Sequence, residues 1–140
     1  MAMTLHVDIV SAESEIYSGT AEMVFVPAQE GEVGITPRHS PLLTQMVPGE
    51  VRVRSGDEEQ LFYVSGGVLE IQPHVVTVLA DTAMRARDID EAEALAAKQR
   101  AEEIISQRHA DVDITRAQAE LMEAIARLRT LEKMRKKVKR

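Results

Sequence analysis

A single change of pattern near residue 87 constrains the fold more than any other feature of this sequence. Residues 5–79 consist of short β-rich runs separated by glycine, proline and serine breaks, and the runs 51–54 and 68–71 alternate between apolar and polar side chains. Alternation means that one face of a strand is buried and the other is wet. The nine runs predict an antiparallel β-sandwich or barrel. They cover residues 5–10, 15–17, 22–26, 32–35, 42–47, 51–54, 61–64, 68–71 and 75–79.

The residues that follow carry helical signals instead. Asp88 is predicted to cap a first helix, with Glu91 completing a capping box. Alanine-rich sequence then continues to an expected end near Gln107. Residues 109–112 form the predicted connection, and Asp113 is predicted to cap a second helix. Apolar residues of the second helix recur at steps of three and four as one stripe: Ile114, Ala117, Leu121, Ala124, Ile125, Leu128, Leu131 and Val138.

A connection this short predicts that the two helices lie antiparallel. The predicted fold class is therefore an all-β N-terminal sandwich, residues 1–87, followed by a C-terminal antiparallel α-helical hairpin, residues 88–140. Two helices of this length cannot build an independent core, so the hairpin must dock on the sandwich or on another protein. A weakly held element of this kind is expected to be movable.

Charge is distributed unevenly along the chain. The whole protein has a formal net charge of −6, whereas residues 114–140 carry 9 basic and 3 acidic side chains. An acidic body argues against general nucleic-acid binding, and a basic tail indicates an interaction surface. The competing explanation is that the basic residues are simply solvent-exposed at a helix C-terminus, where cations interact favourably with the helix dipole.

Residue types exclude most catalytic chemistry. The chain has no cysteine, and its four histidines occur singly, without metal-ligand spacing. Ser65 lacks the glycine two residues earlier that a nucleophile elbow needs, so a β-turn is expected there. Glu30–Gly34 has two glycines but no P-loop lysine. No apolar run is long enough to span a bilayer, and the N-terminus has no signal-peptide pattern. We expect a non-catalytic binding or regulatory subunit with no metal and no cofactor.

Four segments together resemble the epsilon subunit of bacterial F-type ATP synthases. They are Leu-His-Val-Asp-Ile-Val-Ser-Ala-Glu at 5–13, Glu-Gly-Glu-Val-Gly-Ile-Thr-Pro-Arg-His-Ser-Pro-Leu-Leu-Thr at 30–44, Val-Ser-Gly-Gly-Val-Leu-Glu-Ile-Gln-Pro at 64–73, and Val-Thr-Val-Leu-Ala-Asp-Thr-Ala at 76–83. The resemblance covers nearly the whole chain. It implies a β-sandwich followed by a helix pair, the same layout that the residue pattern predicts.

The resemblance also implies a rotor role and a set of partners. In this family the sandwich binds the gamma subunit and sits on the ring of c subunits, at the cytoplasmic face of the bacterial inner membrane. The matching ring-facing loop runs from Glu30 to His39, with Gly31 and Glu32 inside it, and Ser11 matches part of the gamma-facing side. Coupling of ion-driven rotation to ATP synthesis is the implied function.

The helical hairpin of the family is regulatory. When it extends, its second helix inserts along gamma into the catalytic head of alpha and beta subunits and blocks ATP hydrolysis. A carboxylate-rich segment of the beta subunit is the implied partner of the basic side chains. In this chain those side chains are Arg116, Arg127, Arg129, Lys133, Arg135, Lys136 and Lys137.

One position departs from the family pattern. Some members begin the first helix with an Ile/Leu-Asp-x-x-Arg-Ala motif that binds ATP, whereas this chain has Glu93 at the arginine position. A carboxylate repels phosphate, so tight ATP binding is not expected. The alternative function is a freestanding adaptor whose basic hairpin binds an acidic helical partner. A small enzyme on a sandwich scaffold is the third hypothesis, and the absence of a catalytic motif counts against it.

Overall fold

The computed structural model describes residues 3–107 and 110–138, with the side chain of residue 138 excepted. In that part of the chain ten strands precede a short 3-10 helix and two α-helices. The strands are β1 (Leu5–Ser11), β2 (Glu15–Ala21), β3 (Met23–Ala28), β4 (Gly31–Ile35), β5 (Leu42–Met46), β6 (Gly49–Ser55), β7 (Glu58–Val64), β8 (Gly67–Ile71), β9 (Val75–Ala80) and β10 (Ala83–Arg85). The helical elements are a 3-10 turn (Ala86–Asp88), α1 (Glu91–Ser106) and α2 (Asp111–Val138). No helix in the described residues is long and apolar enough to cross a membrane.

The strands form two layers of a β-sandwich, so the predicted fold class is confirmed. Hydrogen bonding runs in the order β10-β7-β6-β3-β5-β8-β9-β1-β2, and β4 pairs with β3 outside this path. A single register pair, Ala28 with Met46, joins β3 to β5 and marks the corner between the layers. Each of the nine predicted runs lies in a strand. The tenth strand was missed because Ala83–Arg85 is three residues long and has no β-branched side chain.

Alternate side chains of the strands fill the space between the two layers. The core is mostly aliphatic, with Phe62 as its largest fully buried side chain. Tyr17 packs on Phe62 with ring centroids 5.3 Å apart. Period-two alternation puts these side chains on one face, and most residues at the intervening positions form the outer faces of the sandwich.

Arg85, the last residue of β10, closes the open side of the sandwich. Its Nη2 donates to the backbone oxygen of Ile16 in β2 at 3.1 Å, and its Nη1 donates to Gln60 Oε1 at 3.2 Å. The guanidinium also lies 5.4 Å from the centre of the Phe62 ring. This contact links β2 to β10 and β7, which pair with each other in the sheet.

Ser65 has a structural role in the turn before β8. Its backbone nitrogen donates to Thr82 O, and its Oγ accepts from the backbone nitrogen of Thr82 at 2.8 Å. Gly67 then begins β8 at φ +128°, where a Cβ would lie 2.1 Å from the backbone oxygen of Leu79. The turn expected from the sequence therefore holds β8 close against β9, and Gly67 makes that approach sterically feasible.

Residues 86–140 form the second compact unit, which begins after Arg85. Helices α1 and α2 are antiparallel neighbours, as predicted, because Arg135 near the end of α2 contacts Glu91 at the start of α1. The buried side chains of α2 include Ala117, Ala124 and Leu131 of the predicted stripe. The histidine at 109 in the predicted connection and the side chain at 138 in the stripe lie outside the described residues.

Asp88 was predicted as the cap of α1 two residues too early, and Asp113 was predicted as the cap of α2 although it lies inside that helix. Asp90, not Asp88, is the N-cap of α1, and its side chain accepts from the backbone nitrogen of Glu93 at 3.1 Å. Asp88 instead ends the 3-10 turn. The second helix begins at Asp111, so Asp113 lies in its first turn. At the start of α1 two aspartates lie two residues apart, and local sequence alone does not decide which one caps.

Candidate partner-binding surfaces

A Ser-His-Asp cluster on the outer face of β1 and β2 does not have catalytic geometry. His6 Nε2 lies 2.9 Å from Asp8 Oδ1, and Ser18 Oγ lies 3.2 Å from the same ring nitrogen. The Ser18 hydroxyl donates to Asp8 at 2.7 Å, so its proton is not offered to the histidine. A triad needs the carboxylate and the hydroxyl on opposite ring nitrogens. The described residues also contain no group of three His, Asp or Glu side chains that could hold a metal ion.

An apolar patch lies on the same outer face. Val68 pairs with Leu79 across β8 and β9, and Leu79 pairs with Val10 across β9 and β1. Leu43 on β5 belongs to the next row and is 68% exposed, while Leu79 is 49% exposed. We call these four residues the apolar patch. Adjoining exposed aliphatic side chains are uncommon on a monomer surface and mark contact sites for partners.

Ser11 ends β1 directly after Val10 of the apolar patch. Its backbone nitrogen donates to Ser14 O at 2.9 Å, and its Oγ accepts from the backbone nitrogen of Ser14 at 3.3 Å. The side chain therefore shapes the turn between β1 and β2. Sequence reasoning identified Ser11 but missed the patch beside it, although leucine and valine at outward positions of alternating strands were a readable signal.

The predicted ring-facing loop is spread over both ends of β4. Glu30 lies in the turn before β4, Gly31 opens the strand at φ +131°, and Glu32 follows on its outward face. His39 lies beyond the far end, where its backbone nitrogen donates to Thr36 O at 3.2 Å and its Nδ1 contacts Ser40 O at 2.7 Å. The structure thus brings Glu30, Gly31 and Glu32 together and places His39 apart from them.

Glu32 has a partner that the sequence did not suggest. Its Oε1 accepts from Arg52 Nη2 at 2.9 Å, although Arg52 is on β6. The glutamate side chain is 47% exposed and the arginine side chain is 23% exposed. Twenty residues separate them, so only the strand register could have indicated this pair.

Helix α2 distributes the seven predicted basic side chains over several faces. Arg129, Lys133 and Lys136 follow one another at steps of four and three, which places them on one exposed side of the helix. We call these three residues the basic stripe. Lys136 Nζ lies 3.2 Å from Glu132 Oε1 one turn earlier. Lys137 lies four residues after Lys133 and borders this stripe, whereas the other three predicted residues lie off it: Arg116, Arg127 and Arg135.

Two of the remaining basic residues are engaged within the hairpin. Arg116 lines a shallow cleft of about 340 Å³ between α1 and α2, with Ile104 and Glu120 on its walls. Arg135 makes a forked contact with the carboxylate of Glu91, one arm of which is 3.2 Å long. Hydrogen bonding and charge attraction from Arg135 lower the pKa of Glu91 below its ordinary value. The same contact raises the pKa of Arg135 above its ordinary value.

Comparison with known proteins gives matches along nearly the whole chain. Residues 4–86 match the family described as ATP synthase, Delta/Epsilon chain, beta-sandwich domain, and residues 87–132 match its long alpha-helix domain. A protein of Nitrosococcus oceani named ATP synthase epsilon chain is 66% identical over 139 residues, covering 99% of each chain. A protein of the same name from Thioalkalivibrio sulfidiphilus is 65% identical over 138 residues, covering 97% of this chain and 98% of the other.

Solved structures show the same fold at low sequence identity. A chain of the Euglena gracilis mitochondrial ATP synthase, in a structure of OSCP/F1/c-ring, matches with a TM-score of 0.79 at 19% identity and covers 88% of this chain and 78% of the other. A chain from the central stalk and c-ring of the Tetrahymena thermophila enzyme has a TM-score of 0.61 at 12% identity, covering 92% and 97%. Since both domain families match in order and relatives align end to end, the chain belongs to the ATP synthase delta/epsilon family.

Proposed function

We propose that this chain is the non-catalytic epsilon subunit in the central stalk of a bacterial proton-translocating ATP synthase. It turns with the rotor, couples ion-driven rotation to ATP synthesis and restrains ATP hydrolysis through its C-terminal helices. The observation that carries the proposal is 66% identity along 99% of the chain to a protein named ATP synthase epsilon chain. The subunit acts as a peripheral member of the complex at the cytoplasmic face of the inner membrane.

The gamma subunit occupies the apolar patch in this proposal. Ser11 was assigned to the gamma-facing side by resemblance, and the residue before it in β1, Val10, lies on the outer face beside Leu79 and Val68. Burying an exposed leucine side chain contributes roughly 1.5–3 kcal/mol, so a few such residues suffice to anchor a rotor subunit. A sheet face is also stiff, which suits a surface that must transmit torque.

The c-ring contacts the turn before β4 and the loop after it. Glu30 and Glu32 contribute negative charge at one end of β4, and His39 contributes an imidazole at the other. Gly31 keeps the turn narrow because it adopts φ +131°, which other residues rarely adopt. Two separated contacts along one strand resist tilting of the sandwich better than a single contact would.

The hairpin, residues 88–140, acts as the brake on hydrolysis, and the sandwich, residues 1–87, acts as the coupling module. In the extended state α2 reaches the catalytic head, where its basic side chains meet a carboxylate-rich segment of the beta subunit. The basic stripe is the part of α2 best placed for this contact, since its three cations share one exposed side. Glu93 lies in the first turn of α1, so we assign no ATP site there.

Removal of the hairpin tests whether coupling belongs to the sandwich and inhibition of hydrolysis to the hairpin. Deletion of residues 88–140 should leave ATP-driven proton pumping in inverted membrane vesicles intact while raising the rate of ATP hydrolysis. Co-purification of the shortened chain with gamma checks assembly in the same preparation. Loss of pumping from a complex that still contains both subunits would contradict the assignment of coupling to the sandwich.

Charge removal separates an electrostatic brake from a steric one. Replacing Arg129, Lys133 and Lys136 with glutamine keeps helix propensity but removes three positive charges. Exposed ion pairs contribute about 0.2–1 kcal/mol each, so hydrolysis should rise by between about threefold and a hundredfold.

A matched control removes three positive charges elsewhere, with Arg87 in the 3-10 turn and Lys98 and Arg100 in α1 changed to glutamine. The control should stay as inhibited as the wild type. Equal inhibition in both triple variants, together with release in the truncated chain, would leave a steric brake and refute the electrostatic one.

A freestanding adaptor was the alternative function, and no feature of the structure favours it. The adaptor hypothesis needs no gamma contact, so the apolar patch would have no occupant. Leu79→Asp should abolish co-purification with gamma under the rotor proposal and leave partner binding unchanged under the adaptor proposal.

A further inference from the structure

Two arginines on β6 share the outer face of the sandwich but make different contacts. Arg52 and Arg54 are two residues apart, so their side chains leave the strand on the same side. Both guanidinium groups lie over the ring of Phe25 on β3, at 4.1 Å for Arg52 and 5.2 Å for Arg54. Arg54 Nη2 donates to Glu59 on β7 at 3.2 Å, whereas Arg52 Nη2 donates to Glu32 on β4 at 2.9 Å.

The Arg52 side chain crosses an entire strand to make this bond. Phe25 of β3 pairs with Arg52 on one side and with Gly34 of β4 on the other, so β3 lies between the two partners. Two strand spacings correspond to roughly 9.5 Å, which only a long side chain lying flat on the sheet can bridge. The Phe25 ring provides the surface on which the guanidinium lies.

Arg52 is itself held from several directions. Its Nε lies 3.8 Å from Glu50 Oε1 and its Nη1 lies 4.0 Å from Glu59 Oε2. With the ring beneath it, the side chain is only 23% exposed. The contacts with Glu50 and Glu59 are longer than hydrogen bonds, and Arg52 Nε has no hydrogen-bond partner. A planar guanidinium stacked on a ring and bonded to Glu32 nevertheless has few alternative rotamers.

Strand β4 needs this kind of support. It pairs with β3 and lies off the main path of the sheet, so its outer edge carries no strand in the described residues. An edge strand bearing a half-exposed carboxylate would otherwise let that carboxylate sample several rotamers. The bond from Arg52 fixes one oxygen of Glu32 and sets the direction in which the other points.

We propose that Arg52 is a positioning residue for Glu32: it reaches across β3 and holds the Glu32 carboxylate in the orientation that the c-ring contacts. This inference rests on the proposed function, in which Glu32 faces the ring. Arg52 touches no partner in this scheme and acts only through Glu32. Partial burial and stacking on Phe25 hold the Arg52 side chain in one position on the sandwich.

The test measures protons pumped per ATP hydrolysed in membranes that contain the complete complex. Five variants are compared with the wild type: Glu32→Gln, Arg52→Gln, Arg52→Lys, the double variant of Glu32→Gln with Arg52→Gln, and Arg54→Gln as the matched control. The control loses an arginine from the same strand, face and aromatic ring but no contact with Glu32. Arg52→Lys is the conservative variant. Its pumping ratio should lie between those of Arg52→Gln and the wild type, because lysine keeps the positive charge but lacks the planar guanidinium.

We expect Glu32→Gln and Arg52→Gln each to lower the pumping ratio by between about 1.5-fold and 5-fold, the range of an exposed ion pair. The pumping ratio of the double variant should not be lower than that of Glu32→Gln alone, because Arg52 acts only through the Glu32 carboxylate and both variants lack it. Arg54→Gln should pump like the wild type. The unfolding midpoints of Arg52→Gln and Arg54→Gln should be similar, so a merely structural role would give both variants the same pumping ratio.

The outcomes distinguish the two levels of the proposal. If Glu32→Gln pumps normally, the ring contact at Glu32 is refuted and the positioning role falls with it. If Glu32→Gln is impaired while Arg52→Gln pumps normally, only the positioning role is overturned. A double variant whose defect equals the product of the two single defects would also overturn it, because Arg52 would then act independently.

Discussion

Replacing Gly67 with alanine should destabilise the sandwich more than the same change at Gly31. The two glycines have nearly the same backbone angle, φ +128° and φ +131°, so the conformational cost of a Cβ is matched. That cost is about 1–3 kcal/mol for a residue held in a sparsely populated region. The surroundings differ, because a Cβ on Gly31 meets nothing within 4 Å, whereas one on Gly67 lies 2.1 Å from Leu79 O.

The additional cost at Gly67 comes from moving a backbone. Real Cβ atoms essentially never approach within 3.0 Å of such an atom, so β8 and β9 must separate by about an ångström. Gly67 pairs with Ala80 of β9 and with Met46 of β5, so a shift affects both ladders. Overpacking of this kind costs about 1–3 kcal/mol. The totals are then about 1–3 kcal/mol for Gly31→Ala and about 2–6 kcal/mol for Gly67→Ala.

Tyrosine fluorescence during urea unfolding measures this difference selectively. The chain has two tyrosines and no tryptophan, and Tyr17 and Tyr63 both lie in strands of the sandwich. The helical hairpin therefore contributes no signal. A difference of about 1–3 kcal/mol corresponds to roughly 4–20 °C in the unfolding temperature of a unit of this size. Equal destabilisation by the two substitutions would refute the steric argument and leave backbone strain as the whole effect.

Three further predictions concern contacts in and around the sandwich and hairpin. Arg85→Met should lower the free energy of unfolding by about 1–3 kcal/mol, because it removes the charge-assisted hydrogen bonds that Arg85 makes to β2 and β7. Tyrosine fluorescence during unfolding measures this loss. Glu91→Gln should loosen the end of α2, measured as faster amide exchange in its last turn than in the wild type at the same pH. Because Arg135 holds the pKa of Glu91 below its ordinary value, the contribution of this pair is present above the ordinary glutamate pKa and lost as pH falls through the lowered value. The difference between the variant and the wild type should therefore vanish in acid. Leu79→Asp should weaken binding to gamma by more than tenfold in a pull-down titration while leaving the unfolding midpoint within about 0.5 kcal/mol, as for other exposed sites.

The strands were predictable because their signal is local. Alternation and turn residues marked nine of the ten strands, and the capping aspartates were ambiguous only in position. The cap of α1 is Asp90, which directly follows the buried Ile89. Its carboxylate accepts from the backbone nitrogen of Glu93, the third residue of the helix.

The candidate site was predictable only in part. Ser11, Glu32 and His39 could be named from resemblance, but the pairing of Glu32 with Arg52 depends on the register of three strands. Strand register depends on how the side chains of whole strand faces pack together, so no short stretch of sequence indicates it. The apolar patch has the same origin, since Val10, Val68 and Leu79 meet only when β1, β8 and β9 lie side by side.

The contact between Arg135 and Glu91 changes how an electrostatic brake must be understood. Arg135 was assigned to the attraction that draws α2 toward the catalytic head, yet in the folded hairpin its charge is already paired. Extension of α2 away from α1 breaks that pair before any new pair forms. Only the difference between the two attractions shifts the population of extended chains.

Salt dependence alone cannot identify the brake, because added salt screens the pair inside the hairpin as well as the pairs made by the basic stripe. Substitutions separate the two contributions. Glu91→Gln removes the pair with Arg135 in the folded hairpin and should increase inhibition of hydrolysis, whereas neutralising the stripe removes attraction to the catalytic head and should decrease it. Effects of the same sign from both changes would contradict a competition between these two sets of ion pairs.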